Sequence, residues 1–171
     1  IKMGRDRNII SDELKDNEEY NENLFFYDDI SDDISDILYD KYKVIRSIKD
    51  LRNHFTNYSP EFNLGVGGPK IRSTLFKKIS RIGGVLSSIT SKFALIGNHN
   101  VNLDQGLTIM EFAIIENDTS IGKGSLINKF SIIAHDVNVG KFCEISLGSK
   151  LLGGASVGDY AQKFWIISFK F

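Results

Sequence analysis

A triangular parallel β-coil preceded by a small α/β unit is the fold class this chain predicts, and two observations on its second half predict the coil. The first is a period of six. Stepping by six from Leu103, the positions read Ile109, Ile115, Ile121, Ile127, Ile133, Val139, Ile145, Leu151 and Val157, all aliphatic. With Ile, Leu and Val at about a quarter of the chain, such a run has a chance probability on the order of 10⁻⁶, so the repeat is real. The second observation is a companion register four residues on: Leu107, Ala113, Thr119, Ser125, Ser131, Val137, Cys143, Ser149, Ala155 and Ala161, small in nearly every case. A wide and a narrow side chain at fixed phase fill a thin prism without voids. Helices repeat at 3.6 and flat strands at 2, so neither produces this pattern. Three hexads make one turn, which stacks residues eighteen apart at about one strand spacing, ~4.8 Å. Ile121-Gly122, Val139-Gly140 and Val157-Gly158 recur at that interval, and each glycine is expected at a corner that needs unusual backbone angles.

Residues 1–82 predict the α/β unit. Ile9, Ile10 and Leu14 share a helical face, and Leu24 to Tyr27 is a short apolar run of the kind that forms a buried strand. Val44-Ile45 marks another strand. Ser47 opens a helix, with Asp50 three residues on as in a capping box and Ile48, Leu51 and Phe55 as the buried stripe. Phe62 to Val66 reads as a strand, Gly67-Gly68 as a turn, and Pro69 as the first residue of a helix whose Ile71, Leu75, Phe76 and Ile79 face inward. Strand, glycine turn and helix present backbone N–H groups to a phosphate or sugar oxygen, although a glycine pair there is more often only a tight turn. Gly83-Gly84 breaks that helix. Ile96-Gly97 looks like a hexad one residue out of frame with Leu103, which an insertion or bulge in the first turn of the coil explains. The coil is expected over 83–160, with 161–171 as an irregular or truncated apolar tail: the hexad register ends after Gly158, and Lys163 stands at the next aliphatic position.

Composition narrows the function classes. The 171 residues carry 21 basic and 22 acidic side chains, a balance that gives no basic surface for nucleic acid or anionic membranes. One cysteine forms no internal disulfide, and Cys143 falls on a small inward position, so it is read as packing and not as a nucleophile. No apolar run is long enough to span a bilayer, no signal peptide is apparent, and a cytoplasmic protein is the expectation. The chain opens on Ile1 without a methionine start, which leaves open whether residues precede it.

The hexad of an aliphatic residue, a glycine or small polar residue, two free positions and a small residue resembles that of the left-handed β-helix acyltransferases. Handedness comes from this resemblance, since the usual crossover is right-handed and periodicity is silent on it. "INKFSIIAHDVNVG" (Ile127 to Gly140) resembles the sialic-acid O-acetyltransferase and bacillosamine-pathway N-acetyltransferase branch, whose members carry an Asn and then a His–acid pair at this spacing. "GVGGPKIR" (Gly65 to Arg72) and "FFYDD" (Phe25 to Asp29) resemble the nucleotide-sugar-binding N-terminal domain of the same enzymes, a small Rossmann-like fold that is incomplete here. The likeness covers roughly residues 20–160.

The resemblance implies acetyl-CoA-dependent transfer to an amino or hydroxyl group of a nucleotide-linked or acidic sugar, with no metal. His135 is then the general base, Asp136 orients it and Asn128 positions the acceptor; neutral imidazole suits the removal of a proton from a sugar amine near neutrality. Backbone N–H groups at the glycine corners are candidates for the oxyanion. Asp28, Asp29 and Gly67 are implied to line the nucleotide-sugar site, and Glu144 and Gly153 to lie along the pantetheine arm of acetyl-CoA. The relatives form trimers around the prism axis with the cofactor between subunits, so a homotrimer is expected.

Beside this stand the plainer readings. A lone histidine on a repeat surface is usually structural or solvent-exposed, and Asp28-Asp29 reads equally as a solvated strand end leading into Asp32, Asp33 and Asp36. The sequence also departs from the family. Gly4 to Ile9 keeps one glycine of the expected Gly-rich loop, with Asn8 where a histidine is usual and Arg5 and Arg7 nearby; Glu144 replaces another polar residue; and the tail stops short of further coils. These departures keep open a catalytically impaired trimeric scaffold or nucleotide-sugar-binding remnant. A metalloenzyme of the carbonic anhydrase kind ranks last, because it needs three converging histidines and His54 and His99 fall outside the regular coils.

Overall fold

The computed structural model describes residues 2–3, 24–31 and 34–163. The sequence readings at Gly4 to Ile9, at Ile10 and Leu14, at Asp32 and Asp33, and at Phe164 to Phe171 lie outside these residues. The chain divides into two compact units, one of Ile1–Val66 with Thr74–Ser87 and one of Gly67–Ser73 with Ser88–Phe171.

In the first unit, strands β1 (Lys2–Met3), β2 (Phe26–Tyr27) and β4 (Tyr42–Ile45) run parallel, and β3 (Ile37–Leu38) closes the sheet antiparallel to β4. Phe26, Tyr42 and Val44 are buried in one cluster with Ile34. Helix α1 (Ile48–Asn57) starts as its sequence demands: the Ser47 hydroxyl accepts the Asp50 N–H at 3.1 Å. Its buried face is Leu51, His54 and Phe55, whereas Ile48 is exposed. His54 takes the expected place of Ile48 because the rings of Phe25 and Tyr58 enclose it, with centroids 4.4 and 5.0 Å away. The strand expected over Phe62 to Val66 is confined to β5 (Glu61–Phe62), which pairs with β6 (Val85–Leu86). Gly84 is required at its place by crowding, since a Cβ there would meet Ile79 at 2.6 Å and Phe55 at 2.9 Å.

Helix α2 (Pro69–Ser80) follows the glycine turn, and Gly68 has φ +80. Its inward face is turned from the expected one: Ile71 is exposed and Arg72 is completely buried. The guanidinium earns that position through hydrogen bonds, which a buried charge requires. Nε donates to the Gly124 carbonyl at 2.9 Å and Nη2 reaches the Thr108 hydroxyl at 3.4 Å, both within the second unit.

The second unit is the coil. Two-residue strands from β7 (Ile89–Thr90) to β19 (Gln162–Lys163) stack in parallel into three faces. The first face holds β7, β10 (Thr108–Ile109), β13 (Leu126–Ile127), β16 (Glu144–Ile145) and β19. The second holds β8 (Leu95–Ile96), β11 (Ile114–Ile115), β14 (Ile132–Ile133) and β17 (Lys150–Leu151). The third holds β9 (Asn102–Leu103), β12 (Ser120–Ile121), β15 (Asn138–Val139) and β18 (Ser156–Val157). Ile121 pairs with Val139 and Val139 with Val157, one above the next, and the aliphatic and small registers together form one buried core. Each core aliphatic side chain removed from water contributes roughly 1.5–3 kcal/mol, so the six-residue period is the energetic basis of the coil. The frame slip is present where expected. Thr108 sits over Ile89 and Ile114 over Leu95, nineteen positions apart, while Ser120 over Asn102 is eighteen, which puts the extra residue in the corner of His99 and Asn100.

Two expectations need correction. Gly122 and Gly140 are not required by unusual backbone angles, because the left-handed corner position falls two residues later, at Gly124 and Phe142. They are required by stacking: a Cβ on Gly122 would stand 2.7 Å from the carbonyl carbon of Gly140. The coil also runs past Gly158, since Gln162–Lys163 pairs in register with Glu144–Ile145. Ladder hydrogen bonds belong to the backbone, so they continue where the side-chain pattern has already lapsed.

Candidate active site

His135 lies at the corner between the second and third faces, two residues after Ile133 and just before the left-handed Asp136, φ 58. Both side chains are about two-thirds exposed, at 65% and 66%. The corner is nonetheless ordered by hydrogen bonds. The Glu116 carboxylate accepts the His135 backbone N–H at 3.0 Å, and His135 Nδ1 lies 2.7 Å from Asp136 Oδ2. That hydrogen bond, then the Asp136 charge, with smaller pulls from Glu116 and Asp118, raises the imidazole above its ordinary value. With Nδ1 given to Asp136, Nε2 is the nitrogen that carries the lone pair in the neutral ring. Gly153 sits one coil on, and a Cβ there would stand 2.7 Å from His135 Cε1 and 2.9 Å from Nε2. Gly153 is thus the floor on which the ring lies.

Asn128 directly follows Ile127 of the first face, so it opens a different corner from that of His135. Its carbonyl accepts the Ser131 hydroxyl at 2.6 Å. Glu144 is on the first face as well, paired with Leu126, and its Oε2 accepts the Gly68 N–H at 2.6 Å. Gly67 lies against the same carboxylate, a Cβ there being 3.3 Å from Oε2. Within one copy the structure therefore gathers His135, Asp136 and Gly153 at one corner and Gly67 with Glu144 at the face opposite it, while Asn128 stands at the corner between the first and second faces. Sequence reasoning missed both the Glu144 contact and Arg72, whose only signal was its place after the glycine turn in "GVGGPKIR". It also missed an open trough of about 740 Å³ along the third face, floored by Ser120, Asn138 and Ser156 beside the glycine column at 122, 140 and 158.

In the first unit, Asp28 and Asp29 line a cleft of about 280 Å³ with Ile30, Ser31 and Arg46. Burial opposes the charge on each, yet both carboxyls are held below the usual range. Asp28 accepts the N–H groups of Ile30 and Ser31 and the Ser31 hydroxyl, and Asp29 is paired with Lys78. Both are ionised acceptors at neutral pH.

Cys143 is fully buried, and burial pushes its thiol up, away from reactivity. His99 is exposed at the irregular corner, and among the described residues no group of three His, Cys, Asp or Glu side chains is placed to hold a metal. No helix among the described residues is long and apolar enough to cross a membrane.

No family model matches the chain, and no curated protein does. Solved structures match nearly all of it. A mutant of perosamine N-acetyltransferase from Caulobacter crescentus, in complex with CoA and GDP-perosamine, superposes with a TM-score of 0.79 over 94% of this chain and 74% of that one, at 21% identity. The fold is the left-handed β-helix of the sugar acetyltransferases. WeeI from Acinetobacter baumannii AYE gives a TM-score of 0.79 at 20% identity, covering 94% and 75% of the two chains. The acetyltransferase domain of PglB from Neisseria gonorrhoeae FA1090 gives 0.64 at 16% identity, covering 94% and 85%.

Proposed function

We propose that this chain is an acetyl-CoA-dependent acetyltransferase acting on an amino or hydroxyl group of a nucleotide-linked or acidic sugar, with His135 as general base. The observation that carries the reading is the His135–Asp136 pair, 2.7 Å apart on an exposed corner above Gly153. An imidazole whose Nδ1 is tied to a carboxylate presents Nε2 outward as a base, and Asp136 stabilises the imidazolium that forms. For an amine acceptor the steps balance without a covalent enzyme intermediate. Nitrogen attacks the thioester carbonyl, the C–N bond forms and the C–S bond breaks. The surplus proton on nitrogen passes to Nε2 and from there to the departing thiolate. The structural neighbours bound to CoA and GDP-perosamine support both co-substrates.

Asp28 and Asp29, lining their cleft in the first unit, suit the hydroxyl and N–H donors of a nucleoside and sugar, in keeping with a Rossmann-like nucleotide-sugar domain. The trough along the third face offers an elongated course for the pantetheine arm, and Gly153 lies under the His135 ring at the neighbouring corner. Glu144, with Gly67 against it, lies on the face opposite that corner. In a homotrimer that corner of one subunit meets that face of the next, and one site draws on two copies.

The test is thiol release from acetyl-CoA with a panel of nucleotide-linked amino sugars, comparing the wild type with His135→Ala. The expected result is turnover that the substitution lowers by about 10²–10⁴-fold, the usual worth of a positioned base. Equal background rates in both proteins overturn the transferase reading.

A further inference from the structure

Glu144 deepens that reading, and the inference rests on it. In the strand–glycine–helix arrangement, the free N–H at the start of α2 is ordinarily offered to a phosphate. Here the chain supplies its own anion: Glu144 Oε2 accepts the Gly68 N–H at 2.6 Å and the Gln162 side-chain amide at 3.3 Å. A phosphate entering this turn would meet a carboxylate already in place, and like charges repel.

The absent side chain of Gly67 leaves a notch whose wall is that carboxylate. A Cβ at this position would lie 3.3 Å from Oε2 and 3.7 Å from Oε1. Any group entering the notch therefore contacts Glu144. Among the described residues no donor reaches Oε1. Arg72 is sealed beneath the surface with Nε on the Gly124 carbonyl and Nη2 toward Thr108. Through the Gly124 carbonyl it steadies the segment carrying the turn. A half-exposed carboxylate with one oxygen anchored and the other open is complementary to a donor, and most of all to a cationic one, because a charge-assisted hydrogen bond is about twice as strong as a neutral one.

We propose that Glu144 determines acceptor specificity by selecting an amino group over a hydroxyl group: its Oε1 takes an N–H of the amino sugar at the Gly67 notch. Glu144 thereby holds the nitrogen while the His135 corner of a neighbouring copy receives its proton.

The test uses the full chain and two nucleotide-linked sugars that differ only in an amino or a hydroxyl group at the acceptor carbon. Glu144→Gln keeps an oxygen for the Gly68 N–H and nearly the same shape, so it removes the charge and not the anchor. Amines are better nucleophiles than alcohols in any enzyme, so the informative quantity is the change in the amino-to-hydroxyl ratio of kcat/KM on substitution. The expected result is a fall in that ratio of about tenfold or more, carried by a rise in KM for the amino sugar. A ratio unchanged in Glu144→Gln overturns the inference and leaves the transferase reading standing. If instead wild type and His135→Ala show the same background thiol release, the transferase reading falls and calorimetry of the two sugars decides on Glu144. A preference for the amino sugar that Glu144→Gln abolishes supports the selection, and equal binding of both sugars by the wild type overturns it.

Discussion

Gly153→Ala separates the chemistry of the His135 corner from the stability of the coil. The Cβ it adds stands 2.7 Å from His135 Cε1, 2.9 Å from Nε2 and 3.3 Å from Nδ1. Carbon atoms in contact sit about 3.5–4.0 Å apart, so the ring has to move by roughly 1 Å. A shift of that size carries Nδ1 from 2.7 Å to beyond hydrogen-bond reach of Asp136 and turns Nε2 away from its line of approach. A misplacement of about 1 Å costs on the order of 10² in rate, or ~2.7 kcal/mol of transition-state stabilisation. Stability should be nearly unchanged, because Gly153 is exposed, its φ is not in the left-handed region, and the colliding group is a side chain free to swing into solvent. Gly154→Ala is the opposite control. Gly154 has φ +74 with nothing within 4 Å, so alanine there costs about 1–2 kcal/mol of backbone strain and leaves kcat alone. The assays are thiol release, thermal unfolding and NMR titration of the His135 ring. Wild-type kcat in Gly153→Ala together with an unmoved His135 titration would refute the placement of the ring on Gly153.

On the proposed role of His135, the acid limb of the pH–rate profile should lie above the ordinary imidazole value, because a histidine base works only when neutral and Asp136 and its neighbours raise the pKa. Asp136→Asn removes the main cause, so the limb should move to lower pH while kcat on the plateau falls; a limb that stays put would contradict the assignment. Arg72→Met should lower stability by about 2–4 kcal/mol, since the Gly124 carbonyl and Thr108 hydroxyl lose buried donors, and denaturant unfolding measures it. Mixing inactive His135→Ala with inactive Gly67→Val should restore activity to about one quarter of wild type in randomly mixed trimers, because a site that takes one part from each neighbour is intact wherever both parts are native. A mixture as inactive as its parents would place the whole site in one chain.

Legibility in the sequence followed the physics of each element. The coil was readable because its core admits only aliphatic and small side chains at two fixed phases, and every turn repeats the constraint, Ile121 under Val139 under Val157. The cap of α1 was readable because the Ser47 hydroxyl acts on backbone only three residues away, accepting the Asp50 N–H. The buried faces of the two helices were not, since each was decided by partners distant in sequence. His54 is buried because Phe25 and Tyr58 close over it, and Arg72 because Gly124 and Thr108 accept its donors. Hydropathy ranks a histidine and an arginine as surface residues, so no periodicity argument recovers either. Of the candidate site, the His135–Asp136 pair was visible because the two residues are neighbours in sequence. The Gly68–Glu144 contact joins residues 76 positions apart and left no local trace.

The geometry of a three-faced coil accounts for the division of the candidate residues into two sets. A corner between two faces of a triangle lies opposite the third, so His135, between the second and third faces, points away from Glu144 on the first. One copy cannot bring them to a single substrate by moving a side chain, because the buried core of the prism lies between them. Parallel prisms packed around a common axis resolve the conflict without distortion, as each turns a corner toward the face of the next. On the proposed roles, the base and the amine-selecting carboxylate would then act from different chains. In the proposed homotrimer neither half of the site would function alone, so the subunit-mixing experiment with His135→Ala and Gly67→Val is the direct check on it.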